Sequence, residues 1–208
     1  MIQTEKHNNR GTGRILKRTV DLIISGIFLC TLFPLCWIII GIIIKRSSPG
    51  PILFKQKRTG YQGKEFICYK FRTMVVNHEA DLTQATSNDP RVTKCGLFLR
   101  KTSLDELPQF FNVFIGNMSI VGPRPHMVKH TLQYAPLIPD YMKRHEVKPG
   151  ITGWAQIKGY RGETRELGQM EARVKADLWY ISNQSFLLDL KIILKTVAII
   201  FLKNEHAY

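Results

Sequence analysis

The sequence has few cysteines, and their spacing is irregular. The four, Cys30, Cys36, Cys68 and Cys95, form no C-x-x-C motif and match no metal-ligand spacing. A disulfide framework or a cysteine-based metal site is therefore not predicted, and reduced thiols indicate a protein that faces the cytoplasm. The chain also has no internal repeat.

Acidic residues are scarce relative to basic ones. The chain has 16 Asp and Glu against 30 Lys and Arg, which gives a formal charge of +14. This imbalance predicts a polyanionic partner, which is a nucleic acid, an anionic membrane surface or a phosphorylated substrate. With 208 residues, 44% of them hydrophobic, the chain is long enough for one sizeable core in addition to any membrane segment.

Residues 22–44 contain no charged residue at all. As a helix this run would extend roughly 35 Å, enough to cross a hydrocarbon core of about 30 Å. It is too long for a cleaved signal peptide, and no small-residue cleavage site follows it. The run therefore predicts a membrane segment, and the polar residues 1–13 before it predict a mobile tail.

The flanks and the centre of the run bear on whether it spans the membrane. Cationic residues stand on both sides of it: Arg14, Lys17 and Arg18 before it, Lys45 and Arg46 after it. Such residues favour the cytoplasmic side, and Pro34 within the run breaks or kinks a helix. Together they predict a re-entrant membrane helix over residues 14–46, broken at Pro34. A single-pass helix with a tolerated proline is the alternative.

Residues 47–208 are expected to form one cytoplasmic domain. Two β-rich runs, ILFKQKR and FICYKFRTM, flank a glycine-containing turn and predict a small hairpin. Strand alternation places Lys70 and Arg72 on one face, either as phosphate ligands or as solvated cations. The apolar C-terminal stretch from Ser185 to Lys203 predicts an interfacial amphipathic helix or a core helix. The predicted fold class is α+β and mainly helical.

Two adjacent acids, Asp105 and Glu106, precede an apolar run. Ser103 and Glu106 fit a structural capping box. Pro108 argues against it, because the fifth residue of such a helix would lose a hydrogen bond, whereas proline suits the first turn of a helix that starts there. In either case the acids lie near a helix N-terminus, where phosphate binds. Two acids there predict Mg²⁺ as the intermediary between carboxylates and phosphates.

The sequence GPRP holds Arg124 between two prolines. Both prolines restrict the backbone, so the arginine is either a pre-organised phosphate clamp or a solvated residue on a rigid loop. The stretch KPGITGWAQIKGYRGE, residues 148–163, carries four glycines and predicts a loop that allows close approach of backbone to a ligand.

Several ordered motifs together resemble the bacterial sugar transferase family, the monotopic polyprenyl-phosphate phosphoglycosyl transferases. They are the proline-containing membrane run, YKFRTM, LRKTSLDELPQ, GNMSIVGPRP, KPGITGWAQIKG and DLWYISNQSFLLDLKII. The resemblance covers the chain from about residue 14 onward. One departure is Phe33, because the family usually has serine before the proline of the membrane break. The chain also starts almost directly at the membrane helix, so we expect a self-sufficient, minimal catalytic form.

The resemblance implies an activity. Family members transfer a sugar 1-phosphate from a UDP-sugar to a polyprenyl phosphate, here undecaprenyl phosphate, release UMP through an aspartyl-phosphosugar intermediate, and start an exopolysaccharide repeat unit. The stretches GPRPHMVKH and KGYRGET look most like relatives that use UDP-glucose. Galactose and an N-acetylhexosamine are alternatives, and a membrane-anchored nucleic-acid-binding module or a scaffold are alternatives of another class.

The resemblance also implies roles for single residues. Asp105 would be the catalytic nucleophile, and Glu106 a catalytic residue that holds Mg²⁺. The other site residues, which would bind substrates, are Lys70, Arg72, Arg100, Arg124, Arg161 and Asp177. The protein would act at the cytoplasmic face of the bacterial inner membrane, in contact with membrane phospholipid and without nucleic acid. A homodimer is left open.

Overall fold

The computed structural model describes residues 2–76, 86, 89–164 and 166–202, with side chains from residue 13 to residue 200. Its elements, in chain order, are α1 (Ile2–Cys30), α2 (Leu32–Ser47), β1 (Leu53–Thr59), β2 (Glu65–Phe71), α3 (Lys94–Lys101), α4 (Gln109–Ile115), β3 (Ser119–Val121), α5 (Val128–Tyr134), β4 (Gly150–Thr152), α6 (Trp154–Ile157), α7 (Leu167–Ser182) and α8 (Phe186–Leu202). Short 3-10 turns cover Tyr61–Gly63, Leu104–Glu106 and Tyr141–Glu146. The fold is mainly helical with small strand pairs, as predicted.

The apolar run forms two helices that meet at Thr31. Residues 13–30 and 32–47 are inclined by 54°; within the described residues no single helix is long and apolar enough to cross a membrane, but this bent pair passes that test. The break lies before Pro34, because proline lacks the N–H that would bond to the Cys30 carbonyl and its ring clashes with that carbonyl. The Thr31 hydroxyl donates to the Ile27 carbonyl at 2.7 Å, so a hydroxyl is present at the break even though Phe33 precedes the proline.

Helix α1 begins at Ile2, so its backbone remains helical through the predicted tail. The mobility of that tail stays a prediction. At its base α1 is fixed to the rest of the fold: Lys17 pairs with Asp189 at 2.5 Å, and Arg18 donates to the carbonyls of Val113 and Phe114 at 2.7 and 2.9 Å. Cations expected to mark the membrane flank therefore also hold α1 against α4 and α8.

Helix α2 packs on the hairpin through aromatic side chains. The rings of Phe33 and Phe71 stack with centroids 6.3 Å apart, and Trp37 lies 5.9 Å from Phe71. Ile40 and Ile44 join the same buried cluster. The bend in the apolar run is thus held against β2, the strand that carries Lys70.

Two strand pairs organise the domain. The predicted hairpin is confirmed, with β1 and β2 antiparallel from Leu53 opposite Phe71 to Thr59 opposite Glu65. A second pair, β3 with β4, is parallel and was not predicted. It requires glycine, because a Cβ on Gly150 would stand 2.1 Å from the nitrogen of Gly122. The close approach predicted for residues 148–163 is therefore, at Gly150, an approach to backbone and not to a ligand.

The C-terminal helix α8 has one buried face and one exposed face. Ile192 is fully buried in the main core cluster, with Val113, Met118 and Val121. Leu187 and Leu194, in contrast, are 74% and 61% exposed. The core contact is therefore present on one side, and the interfacial placement of the other side stays a prediction.

Candidate active site

The two acids lie in the 3-10 turn Leu104–Glu106, immediately ahead of α4. Ser103 has φ 60° and ψ 12°, its side chain makes no capping hydrogen bond, and α4 begins directly after Pro108. The capping box is therefore not formed. Asp105 and Glu106 are 5% and 6% exposed, so a specific surrounding must stabilise their charge.

Glu106 is surrounded by three cations. Its Oε1 accepts from Lys70 at 2.9 Å and from Arg124 at 2.8 Å, and its Oε2 lies 3.7 Å from Arg161. Burial raises the pKa of Glu106, but the charges of Arg124, Lys70 and Arg161 outweigh burial and hold the pKa well below its usual range. Glu106 is therefore ionised and holds three of the five cations that were predicted to bind substrates.

Among the described residues, Asp105 makes fewer and longer ionic contacts than Glu106. Its nearest ion pair among the described residues is with Lys70, at 3.9 Å. Burial raises the pKa of Asp105 and the charge of Glu106 adds to this, while Lys70, Arg100 and Arg161 oppose it. A buried carboxylate with one long ionic contact retains the capacity to meet a new electrophile or cation.

The backbone of Arg124 is fixed by a hydrogen bond from a second, buried ion pair. Its carbonyl accepts from Arg144 Nη2 at 2.8 Å, and the same guanidinium donates from Nη2 and Nε to Asp177 Oδ2 at 2.7 and 3.2 Å. The Arg144 and Asp177 side chains are 1% and 2% exposed. Burial raises the pKa of Asp177, against the opposing charge of Arg144.

The structure therefore places Asp177 differently from the sequence-based prediction. It does not line the cavity at Asp105 but supports Arg144, which fixes the backbone of the GPRP loop. Arg144 was missed by sequence reasoning. Nothing in YMKRHEVKPG distinguishes it from its neighbour Lys143, whose side chain is 58% exposed.

Arg72 is also placed differently. Its guanidinium donates from Nε to the Pro51 carbonyl, from Nη1 to Ser48 Oγ and the Pro49 carbonyl, and from Nη2 to the Ser48 carbonyl, at 2.6 to 2.9 Å. Carbonyls just after a helix lack intrahelical partners, so a buried arginine at this point satisfies them. Arg72 thus shares a cavity wall with Lys70, as alternation predicted, but its donors fix the turn after α2.

A cavity of about 510 Å³ opens at Asp105. Lys70, Arg100, Arg124 and Arg161 line it there, and Arg100 Nε also donates to Thr73 Oγ1 at 2.9 Å. What we call the apolar side of the cavity consists of Pro51, Leu53, Phe71, Val75 and Val76. What we call the polar side consists of Arg58, His126, His130 and Arg173. The apolar side adjoins α2, because Leu53 and Phe71 pack with Ile40 and Ile44.

The donor set suits a magnesium ion only in combination with phosphate. Among the described residues, no group of three or more histidine, cysteine or acidic side chains is arranged to hold a metal. Asp105 and Glu106 nevertheless provide two adjacent carboxylates, and Mg²⁺ is commonly bound by one or two carboxylates plus substrate phosphates. These two residues therefore fit the ion in donor type.

The buried acid pair and the cations around it, next to the bent pair of apolar helices, form an arrangement that is suited to phosphate. Residues 12–203 match the family model described as bacterial sugar transferase. The chain belongs to this family, which confirms the resemblance drawn from its motifs.

Individual relatives agree with this membership. The chain is 54% identical, over 95% of its length and 42% of the relative's, to the UDP-glucose:undecaprenyl-phosphate glucose-1-phosphate transferase of Escherichia coli. It is 42% identical to the exopolysaccharide production protein PSS of Rhizobium leguminosarum, over 88% and 94% of the two chains. It is 41% identical, over 88% and 43%, to the UDP-N-acetylgalactosamine-undecaprenyl-phosphate N-acetylgalactosaminephosphotransferase of Aeromonas hydrophila. The chain thus spans less than half of the first and third of these relatives.

Proposed function

We propose that this protein transfers glucose 1-phosphate from UDP-glucose to undecaprenyl phosphate and releases UMP, and so starts an exopolysaccharide repeat unit. The observation that carries the proposal is the division of the acid pair. In the part of the chain that the structure describes, Glu106 binds three cations, whereas Asp105, beside it, has one ionic contact, at 3.9 Å. The family and the name of the Escherichia coli relative support the same reaction.

The pair suits two successive displacements at phosphorus. Asp105 attacks the sugar-bearing phosphorus; a bond from its carboxylate to phosphorus forms as the bond to UMP breaks. An oxygen of the lipid phosphate then attacks the same phosphorus and frees Asp105. Glu106 keeps Lys70, Arg124 and Arg161 in place to neutralise phosphate charge. Mg²⁺, held by the two carboxylates together with phosphate, would add to this neutralisation.

The proposed place of action is the cytoplasmic face of the bacterial inner membrane. The bent pair α1 and α2 would enter the bilayer and return, because cations flank both ends of the apolar run. The acceptor's tail is confined to the bilayer, so only its phosphate has to reach the cavity, whose apolar side adjoins α2. Single cysteines introduced at Arg14 and Lys55 should both be labelled from the cytoplasm, and labelling from opposite sides would contradict this topology.

The sugar is a separate part of the proposal. Glucose is favoured by the Escherichia coli relative, whereas the Aeromonas hydrophila relative is named for an N-acetylgalactosamine donor. A panel of UDP-glucose, UDP-galactose and UDP-N-acetylhexosamines, with UMP release as the readout, should show clear preference for UDP-glucose. Preference for an N-acetylhexosamine would overturn the choice of sugar and leave the reaction type intact.

The reaction type is tested without lipid acceptor. Purified protein is incubated with Mg²⁺ and UDP-glucose labelled in the sugar, and label bound to protein is measured. Wild-type protein should carry label and release UMP, and addition of undecaprenyl phosphate should move the label to lipid. A nucleic-acid-binding module would instead carry no label and would bind nucleic acid with an affinity that falls steeply with salt.

A further inference from the structure

The polar side of the cavity contains two buried groups with unused hydrogen-bonding atoms. Arg173, on α7, is 5% exposed; its Nη2 donates to the Gly162 carbonyl at 2.6 Å, but its Nε is buried and has no hydrogen-bond partner in the described part of the chain. His126 is 2% exposed, and its Nε2 is likewise buried and unpartnered there. Buried polar atoms of this kind are rare in folded proteins and call for an explanation such as ligand binding.

The cavity lining contains nine lysine and arginine side chains and two carboxylates, Asp105 and Glu163. Within the described ranges no carboxylate forms an ion pair with Arg173. Burial and the charges of Arg124 and Arg144 lower the pKa of Arg173 to about 10. A buried cation close to two others is unfavourable unless an anion compensates it. The polar side of the cavity is therefore suited to an anion.

His126 can provide an uncharged hydrogen-bond donor on the same side of the cavity. Its Nδ1 lies 2.6 Å from the hydroxyl oxygen of Tyr141. Burial and the charge of Arg144 hold the pKa of His126 well below its usual range, so the ring is neutral. When the Tyr141 hydroxyl donates to Nδ1, the single ring proton lies on Nε2. A phosphate oxygen is a suitable acceptor for that proton.

In both displacements of the proposed reaction, a phosphate occupies the position opposite Asp105. In-line displacement places the attacking and leaving oxygens on opposite sides of the reacting phosphorus. In the first step the bond from Asp105 to phosphorus forms and the electron pair of the broken bond leaves with the UMP phosphate. In the second step the lipid phosphate supplies the electron pair for the new bond, and the pair of the broken bond returns to Asp105. The lipid phosphate therefore enters where the UMP phosphate left.

We propose that Arg173, together with the Nε2–H of His126, binds the phosphate that stands opposite Asp105: the UMP phosphate in the first displacement and the lipid phosphate in the second. This inference rests on the proposed function and assigns a residue to each phosphate of the donor. Arg124, bound to Glu106, meets the reacting phosphate, and Arg173, electrostatically coupled to Arg124, meets the neighbouring one. Arg173 then stabilises the departing charge and later positions the attacking oxygen.

The test separates binding from the two half-reactions. UDP binding is measured by calorimetry, adduct formation without lipid, and release of a pre-formed adduct by undecaprenyl phosphate. Arg173→Gln should weaken UDP binding roughly tenfold or more and slow both half-reactions by similar factors, while Arg173→Lys should restore part of each. The matched control is Lys175→Gln, an exposed cation on the same helix α7 that does not line the cavity, which should stay within about twofold of wild type.

Each outcome decides between the alternatives. UDP binding that is absent in wild type or unchanged in Arg173→Gln would overturn the inference, and so would slowing of the first half-reaction alone. If thermal unfolding shows that Arg173→Gln does not fold, Arg173→Lys carries the test, because loss of the planar fork should still weaken UDP binding severalfold. Wild-type protein that binds UDP through Arg173 but forms no adduct would refute the proposed function and leave the phosphate assignment standing.

Discussion

Glu106 and Asp177 are both buried acids held by an arginine, and they differ in what surrounds them. Glu106 binds Arg124, Lys70 and Arg161, and these three cations line a cavity together with Asp105. Asp177 binds Arg144 in a closed interior, where both side chains are at most 2% exposed. The cations bound to Glu106 therefore face a cavity, whereas the pair of Asp177 and Arg144 is enclosed.

Arg124 joins two groups of residues. We call Glu106 and Asp105 with their cations the open centre, and Asp177 with Arg144 the closed centre. Arg124 donates through its side chain to Glu106 and accepts through its carbonyl from Arg144. The prolines on either side restrict the backbone of this residue, so the closed centre determines where the guanidinium stands in the open one. Changes at the open centre should alter catalysis without loss of fold, and changes at the closed centre should act on the fold first.

The largest effect is expected at Asp105. Asp105→Asn should abolish both turnover and the labelled protein adduct, because an amide is too poor a nucleophile to attack phosphorus. Its thermal unfolding should stay close to that of wild type, since the ionic contact of the replaced carboxylate within the described ranges is long, at 3.9 Å. Mass spectrometry of the intact protein after incubation with UDP-glucose provides the measurement. A wild-type adduct in this variant would show that another residue is the nucleophile.

A large effect on stability is expected at Asp177. Asp177→Asn leaves Arg144 as an uncompensated buried charge, which should lower the free energy of unfolding by about 3–5 kcal/mol. Denaturant unfolding measures this. Asp140→Asn is the matched control, because its exposed pair with Lys143 at 3.1 Å should contribute less than about 1 kcal/mol. Equal stability of the two variants would mean that the closed centre does not support the fold.

An intermediate effect is expected at Glu106. Glu106→Gln removes the charge that gathers three cations but keeps the nucleophile, so a slow adduct should survive at a rate lower by roughly 10²–10³. Its dependence on Mg²⁺ should weaken as well. Glu65→Gln is the control, because Glu65 forms an exposed pair with Lys57 at 3.5 Å and should leave the rate unchanged. Complete loss of adduct would assign Glu106 a direct part in attack.

Sequence reasoning identified the open centre better than the closed one. Asp105, Glu106 and Arg124 stand in short motifs whose local backbone already predicts their setting, namely acids ahead of a helix and an arginine between prolines. Arg144 and the pairing of β3 with β4 depend on contacts between residues 20 to 33 positions apart in sequence, which no local pattern encodes. Arg72 was predicted to face phosphate because alternation fixes a face of the strand but not the partner of a long side chain.

The smallest expected effect is a shift in pH dependence produced by Lys70, which contacts both acids of the open centre. Attack requires ionised Asp105, whose pKa burial raises above the ordinary value of 3.8, so the rate of adduct formation should fall as the pH is lowered through that raised value. Lys70 is the strongest of the cations that oppose this rise. Lys70→Met should therefore move the acid limb of the pH–rate profile to higher pH.

Glu106 keeps Arg124 and Arg161 in the Lys70→Met variant and should remain ionised. A Lys70 that only bound substrate would lower the plateau, by about tenfold, and leave the limb in place, so adduct formation rates measured across pH distinguish the two roles.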